Sequence, residues 1–299
     1  KMLDIIDTHQ HLWNLDRLKL PWVNGVPELN RSYKFNDYLK AAESSGVTRT
    51  VYMEVDAHQD HKQKEIDDMT LHCQEDSDLM LGMVVSADPG KPGFTEFLGA
   101  NSGNPFIKGV RQVLHNPEQA SRYCLTPEFV QGIRALGKRD LLFDICIRPA
   151  ELHDAVELCR QVPETTFVLD HCGNADPYVV NGHRKIDSSS SDTTYVHSKE
   201  SWQKGIFKLG ELENVYCKIS GIVARAETDW NAQTLAPTVN TCLEAFGEDR
   251  VVFGGDWPVC TLGASLSQWI AALKEIVSTR PTVVQEKMFS INAERLYQL

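Results

Sequence analysis

Two histidines separated by a single residue, His9 and His11, lie near the start of the chain, just after Asp7. On an extended backbone, residues two apart project to the same side. Both imidazoles can therefore reach one metal ion or one substrate oxygen. A third histidine lies in Asp170-His171-Cys172-Gly173, and a carboxylate in Gly254-Gly255-Asp256-Trp257-Pro258. Taken singly, these residues have ordinary readings: His171 as a hydrogen-bonded core residue, Asp256 as a helix cap or loop staple. What singles them out is company. Glu54 and Asp56, Lys108 and Arg111, Asp144 and Arg148, and Lys218 and Ser220 also cluster at or near the ends of apolar runs. Burying isolated charges costs several kcal/mol unless they are paired or used, so their convergence predicts one site. For Glu54, Lys108 and Asp144, a purely structural ion pair fits the sequence equally well.

The elements that must position these groups are eight short apolar runs, at residues 4–8, 50–55, 80–86, 107–114, 141–147, 167–170, 215–219 and 251–253. Near-continuous apolar runs of strand length mark strands buried on both faces, as in parallel sheets. Helical patterns separate them, at 36–45, 60–74, from Pro127, at 150–161, 202–212, 236–246, 266–277 and 282–297. Proline after Thr126 and at 149 suits first helical positions. The alternation predicts an α/β protein, a single-domain (β/α)8 TIM barrel over residues 1–299, with the chemistry at the strands' carboxyl ends. One polar stretch, residues 173–198 with the run Ser188-Ser189-Ser190-Ser191, interrupts the rhythm and is expected to lie over the site.

The formal net charge of −11 leaves no electrostatic footprint for nucleic acid or an anionic membrane surface. No apolar run approaches the ~20 residues that span a bilayer. The eight cysteines form no Cys-x-x-Cys pair and read as reduced core residues. With no signal-peptide pattern before Asp4, a cytoplasmic location is expected.

The residues also carry a resemblance. His9-Gln10-His11-Leu12-Trp13, Leu169-Asp170-His171-Cys172-Gly173, Cys217-Lys218-Ile219-Ser220-Gly221, Phe253-Gly254-Gly255-Asp256-Trp257-Pro258-Val259 and Asn292-Ala293 occur in this order. Together they resemble the amidohydrolase 2 branch of the amidohydrolase superfamily. Within it, the chain looks most like the sugar-lactonase group, L-fuconolactone and L-rhamnonolactone hydrolases, and is similar also to sulfomuconolactone and pyrone-dicarboxylate hydrolases. The resemblance implies a barrel that opens a lactone, with Asp256 as the water-activating base and His9, His11 and His171 as its companions. Arg111 would bind substrate. The chain departs from metal-rich members: residues 141–147 hold no histidine, and Arg111 stands where a bridging carboxylated lysine would be expected, with Lys108 a doubtful substitute.

The expected reaction is therefore base-activated attack of water on a lactone carbonyl, with a sugar (aldono-) lactone as the substrate. Arg111, Glu54, Lys218, Ser220, Asp144 and Trp257 are expected to bind it, with Arg148 a further cation. Two alternatives stay open for the cofactor: one divalent ion, zinc first, on His9, His11 and Asp256, or a metal-free site. Two alternatives stay open for the reaction: a pyrone-dicarboxylate or sulfomuconolactone type of lactone hydrolase, or a metal-dependent decarboxylase of the same superfamily.

Overall fold

The protein is described by a computed structural model covering residues 3–184 and 192–299. The serine run 188–191, part of the expected loop, lies outside the described residues. Eight strands form one parallel sheet in sequence order: β1 (Ile5–Gln10), β2 (Val47–Met53), β3 (Met80–Ser86), β4 (Ile107–Val113), β5 (Leu142–Cys146), β6 (Phe167–Leu169), β7 (Val215–Ile219) and β8 (Val251–Phe253). The sheet closes on itself where the His11 N–H donates to the Trp257 carbonyl at 2.9 Å and the Asp256 N–H to the His9 carbonyl at 2.7 Å. The Thr8 hydroxyl adds a bond to the Phe253 carbonyl at 2.6 Å.

Asp7 locks that seam. One carboxylate oxygen accepts from the His9 and Gly255 N–H groups, at 3.0 and 2.7 Å, and the other from the Tyr38 hydroxyl at 2.9 Å. Its partners match a buried acceptor on every side, as a buried polar group requires.

The barrel's interior changes character along its axis. Inside the barrel, Ile6, Val51, Met53, Val84, Leu142, Val168 and Val252 form one apolar cluster with Ala293, Leu296 and Tyr297 of the helix Asn292–Tyr297. Two residues further along their strands, on the same face by the strand period, come Asp144 and Asp170, and beside them Lys218. The outer layer is the larger apolar core, between strands and helices.

Helices fill most of the expected intervals: Phe35–Ala42, Lys62–Glu75, Pro127–Gly137, Leu152–Gln161, Lys199–Gly210, Ala232–Phe246 and Leu266–Val277. Three differences have local causes. The helix Phe94–Ala100 was not anticipated, since seven residues after a left-handed glycine, Gly93, carry too short a periodicity to read. Ala232–Phe246 starts four residues earlier than expected, because Asn231 and Thr234 cap each other reciprocally and Pro237 is carried inside. The stretch 282–297 is not one helix but two, joined by a π-turn at Lys287–Ile291. Within 173–198, the described part holds a helical turn Pro177–Val180, its first free N–H capped by the Asp176 carboxylate. All eight cysteines are free and buried. Among the described residues, no helix is long and apolar enough to cross a membrane.

Candidate active site

The barrel brings His9, His11, His171 and Asp256 together at the carboxyl ends of β1, β6 and β8. His9 Nε2 lies 3.6 Å and His11 Nε2 3.3 Å from the same Asp256 oxygen. The rings of His9 and His11 meet edge-on with centroids 4.8 Å apart, and His171 lies 4.6 Å from His9. Space is made by missing side chains. A Cβ on Gly254 would sit 2.7 Å from the His9 Cβ; one on Gly221, whose φ is +72°, would sit 2.4 Å from His171 Nδ1.

His171 and Asp256 reach the site through unusual backbone. In an extended strand, Asp170 and His171 would face opposite sides. The chain instead turns left-handed at His171 (φ 56°), Cys172 (52°), Gly173 (68°) and Asn174 (57°), so that both side chains reach the centre. Non-glycine residues in that region carry strain, which persists only where the surroundings over-determine it. Here the Trp202 indole donates to the Cys172 carbonyl at 2.8 Å, and the Asn174 amide to the Ile147 carbonyl at 2.8 Å. Asp256 is left-handed too, at φ 56°.

The second nitrogen of two histidines is spoken for. His11 Nδ1 lies 2.9 Å from the Met53 carbonyl, which can only accept. The proton is therefore on Nδ1, and the Nε2 lone pair faces Asp256. The Ser220 hydroxyl receives the His171 backbone N–H at 3.3 Å and stands 2.9 Å from His171 Nδ1. The hydroxyl proton can be given to Nδ1, and in that tautomer His171 keeps an Nε2–H donor. Burial pushes the His9 and His171 pKa values down, against the pull of the nearby carboxylates. For Asp256, burial raises the pKa and the neighbouring histidines, His171 first, lower it to about 2, a balance that requires positive charge at its oxygen, from a protonated imidazole or a bound cation. It is a carboxylate at neutral pH.

An ionised carboxylate facing the His11 lone pair, with His9 Nε2 beside it, is an arrangement that a cation completes. The 3.3 and 3.6 Å separations match the ~3.4 Å edges of a tetrahedron with ~2.1 Å bonds. His9, His11 and Asp256 thus fit one divalent ion, and the Met53 carbonyl behind His11 is the outer partner such a ligand needs. A second possible set, His9, Asp170 and His171, shares His9. There, Asp170 already contacts two cations, Lys218 Nζ at 3.2 Å and Arg111 NH1 at 3.2 Å, so it is not a vacant ligand. At most one ion per chain is expected by elemental analysis after dialysis against zinc(II). Two tightly held ions would refute this.

The residues expected to bind substrate fall into separate places. Arg111 lies at the site and clamps Glu54: its Nε donates to Glu54 Oε1 at 2.6 Å and its NH2 to the Glu54 carbonyl at 2.9 Å. Lys218 and Asp144 lie beneath the site, both side chains wholly buried, 2.6 Å apart. Arg148 pairs with Glu151 at 2.9 Å. Lys108 points the other way, its ammonium donating to the Gln298 carbonyl at 3.3 Å at the opposite end of the barrel. It cannot bridge metals at the site. Trp257 packs its ring against Tyr33 and Tyr38. Ser220 serves His171, as described.

The sequence reading left out Asp170, Arg225 and Tyr195. Asp170 was visible as the residue before His171: its backbone is extended (φ −70°, ψ 147°), and the period of two from Val168 points it inward. Arg225 donates to the Asn174 carbonyl at 2.6 Å and to its side-chain oxygen at 3.0 Å, and lies 3.6 Å under the Tyr195 ring. Tyr195, from the long loop, stands 5.6 Å from His115. No periodicity marks either residue.

Enzymes built on this barrel keep their chemistry at the end where these groups gather, and the chain is one of that class. It belongs to the amidohydrolase family, whose model matches residues 6–299. It is similar to the L-fucono-1,5-lactonase of Burkholderia multivorans, 25% identical over 304 residues that cover 98% of this chain and 96% of the relative. It is also similar to the L-rhamnono-gamma-lactonase of Scheffersomyces stipitis, 21% identical over 99% of this chain and 98% of that one. Among solved structures, an amidohydrolase from Burkholderia multivorans with bound zinc superposes with a TM-score of 0.83, at 22% identity and 99% coverage of both chains.

Proposed function

We propose that this enzyme opens a neutral sugar lactone by hydrolysis, with Asp256 as the base. The observation that carries the reading is an ionised Asp256 in contact with two imidazoles, beside a third that presents an N–H. The lactonase relatives support the reaction class. The choice of a neutral lactone rests on charge. A polycarboxylate substrate would need several free cations. Arg111, Lys218 and Arg148 are each neutralised by carboxylates of the protein, which leaves Arg225, held by the Asn174 oxygens and the Tyr195 ring, as a single positive charge among the described residues of the site.

Asp256 accepts a proton from water poised against the lactone carbonyl. A carboxylate held at about 2 is a weak base. One divalent ion on His9, His11 and Asp256, zinc by its tetrahedral nitrogen and oxygen donor set, would supply what the base lacks by raising the acidity of that water. His171, through Nε2–H, stabilises the charge that grows on the carbonyl oxygen. Asp256 then returns its proton to the ring oxygen as the ester bond breaks. Arg111, clamped by Glu54, keeps the wall beside His9 rigid. The segment carrying Tyr195 lies over the site and excludes water once substrate is bound.

A pH-indicator screen of 1,5- and 1,4-aldonolactones against dicarboxylate lactones tests this reading. Turnover is expected on aldonolactones and at least tenfold slower, roughly one to two kcal/mol in barrier, on the dicarboxylates. Fastest turnover on a dicarboxylate would overturn the substrate assignment. Release of carbon dioxide from an aromatic acid, with no lactone opened, would overturn the reaction.

A further inference from the structure

His9 is the one residue shared by both candidate ligand sets, and its side chain is completely buried. Its two ring nitrogens face different neighbours. Nε2 points to Asp256 at 3.6 Å, and the Arg111 NH1 group stands 3.5 Å from it. Nδ1 points to Asp170 Oδ1 at 3.6 Å. Among the described residues, neither His9 Nδ1 nor Asp170 Oδ1 has a hydrogen-bond partner, although both are buried. His9 Nδ1 thus faces a carboxylate oxygen that the Lys218 ammonium, at 3.2 Å, keeps an acceptor, and a proton on Nδ1 is what this pair of buried atoms calls for.

We propose that Asp170 is a positioning residue for His9: it fixes the imidazole proton on Nδ1 and so turns the Nε2 lone pair toward Asp256. The proposal rests on His9 belonging to the reacting centre. Two features act in the same direction. A proton on Nε2 would set a donor against the Arg111 donor. A proton on Nδ1 meets an acceptor that cannot lose its charge, because Asp170 is gripped by Lys218 at 3.2 Å on one oxygen and by Arg111 at 3.2 Å on the other. Lys218 is itself held by Asp144 at 2.6 Å. The buried charges therefore form a chain from Asp144 through Lys218 and Asp170 to His9. Its purpose is to keep Asp170 an acceptor and to hold its angle. Carboxylates behind metal-binding imidazoles fix tautomer and ring orientation in this way, and their loss typically costs about 10–100-fold in affinity or activity.

The test is the tautomer itself, read from the 15N shifts of the metal-free protein labelled at histidine nitrogens, with His9 assigned by comparison with H9Q. The expected result in the wild type is a protonated Nδ1 and an unprotonated Nε2. In Asp170→Asn, the Nδ1–H population should fall, and zinc(II) affinity, measured by chelator competition, should weaken about 10–100-fold. A wild-type His9 protonated on Nε2 overturns the proposal without any variant, which covers the case in which Asp170→Asn does not fold. An Asp170→Asn protein with unchanged tautomer also overturns it. Neither measurement uses a substrate. A protein that opens no lactone would thus defeat the functional reading alone, and a lactonase whose His9 carries its proton on Nε2 would defeat this one alone.

Discussion

Asp256→Asn is expected to lower kcat on the best lactone about 10²–10⁴-fold, the usual contribution of a positioned general base, while KM changes little. The substitution is chosen by backbone as well as by shape. Asp256 sits at φ 56°, a region that asparagine tolerates and alanine does not. Its main-chain bonds to the His9 carbonyl and the Cys260 N–H do not involve the carboxylate and should persist. The loss should thus fall on the chemical step, the signature of an interaction made in the transition state. Zinc(II) affinity should fall in parallel, since the same oxygen faces both imidazoles. A variant that keeps near wild-type turnover would remove Asp256 from the role of base, whatever the substrate.

The second large effect concerns stability. Lys218 is fully buried between Asp144 and Asp170. Burial would lower its pKa, and the two carboxylates outweigh that and raise it. Asp144 is pushed up to about 7, by burial first and by Asp170, against the pull of Lys218. Lys218→Met leaves Asp144 buried without its cation and Asp170 with Arg111 alone. Breaking a buried pair from one side costs ~3–5 kcal/mol. At roughly 2 °C per kcal/mol for a chain of this size, Tm should drop by about 6–10 °C. Adding Asp144→Asn should recover part of the loss, because it removes the orphaned carboxylate rather than a partner. A Lys218→Met protein within about 1 kcal/mol of wild type, measured by urea unfolding, would show that the charged layer is not held by this ammonium.

Much of the barrel was legible in the residues because a buried parallel strand leaves a one-dimensional trace, a short apolar run ending in a polar group. His9, His11 and Asp256 could be placed near one another because closure makes β1 and β8 neighbours. Depth along the barrel axis leaves no such trace. Lys218 and Asp144 are charged residues set in apolar strand runs just as Arg111 is, yet they lie a layer lower, and only the stacking of residues from β5, β6 and β7 decides it. Direction was hidden at His171, where four left-handed residues overrule the alternation that would have sent it outward. Tyr195 and Arg225 come from connecting segments, where no period links sequence to place. The helix Phe94–Ala100 was lost to brevity.

The seam between β1 and β8 has a consequence for how the molecule is made. Asp7 bonds the Gly255 N–H across 248 positions of chain, and Thr8 bonds the Phe253 carbonyl across 245. At ~5–20 residues per second, a ribosome needs about 10–50 s to travel that distance. Throughout that interval His9 and His11 exist without Asp256, and the first strand has no eighth strand to lie against. Contacts this distant in sequence are slow to form. The nascent chain therefore holds a half-set of ligands and an open sheet edge, and the reacting centre is among the last parts of the molecule to come into being.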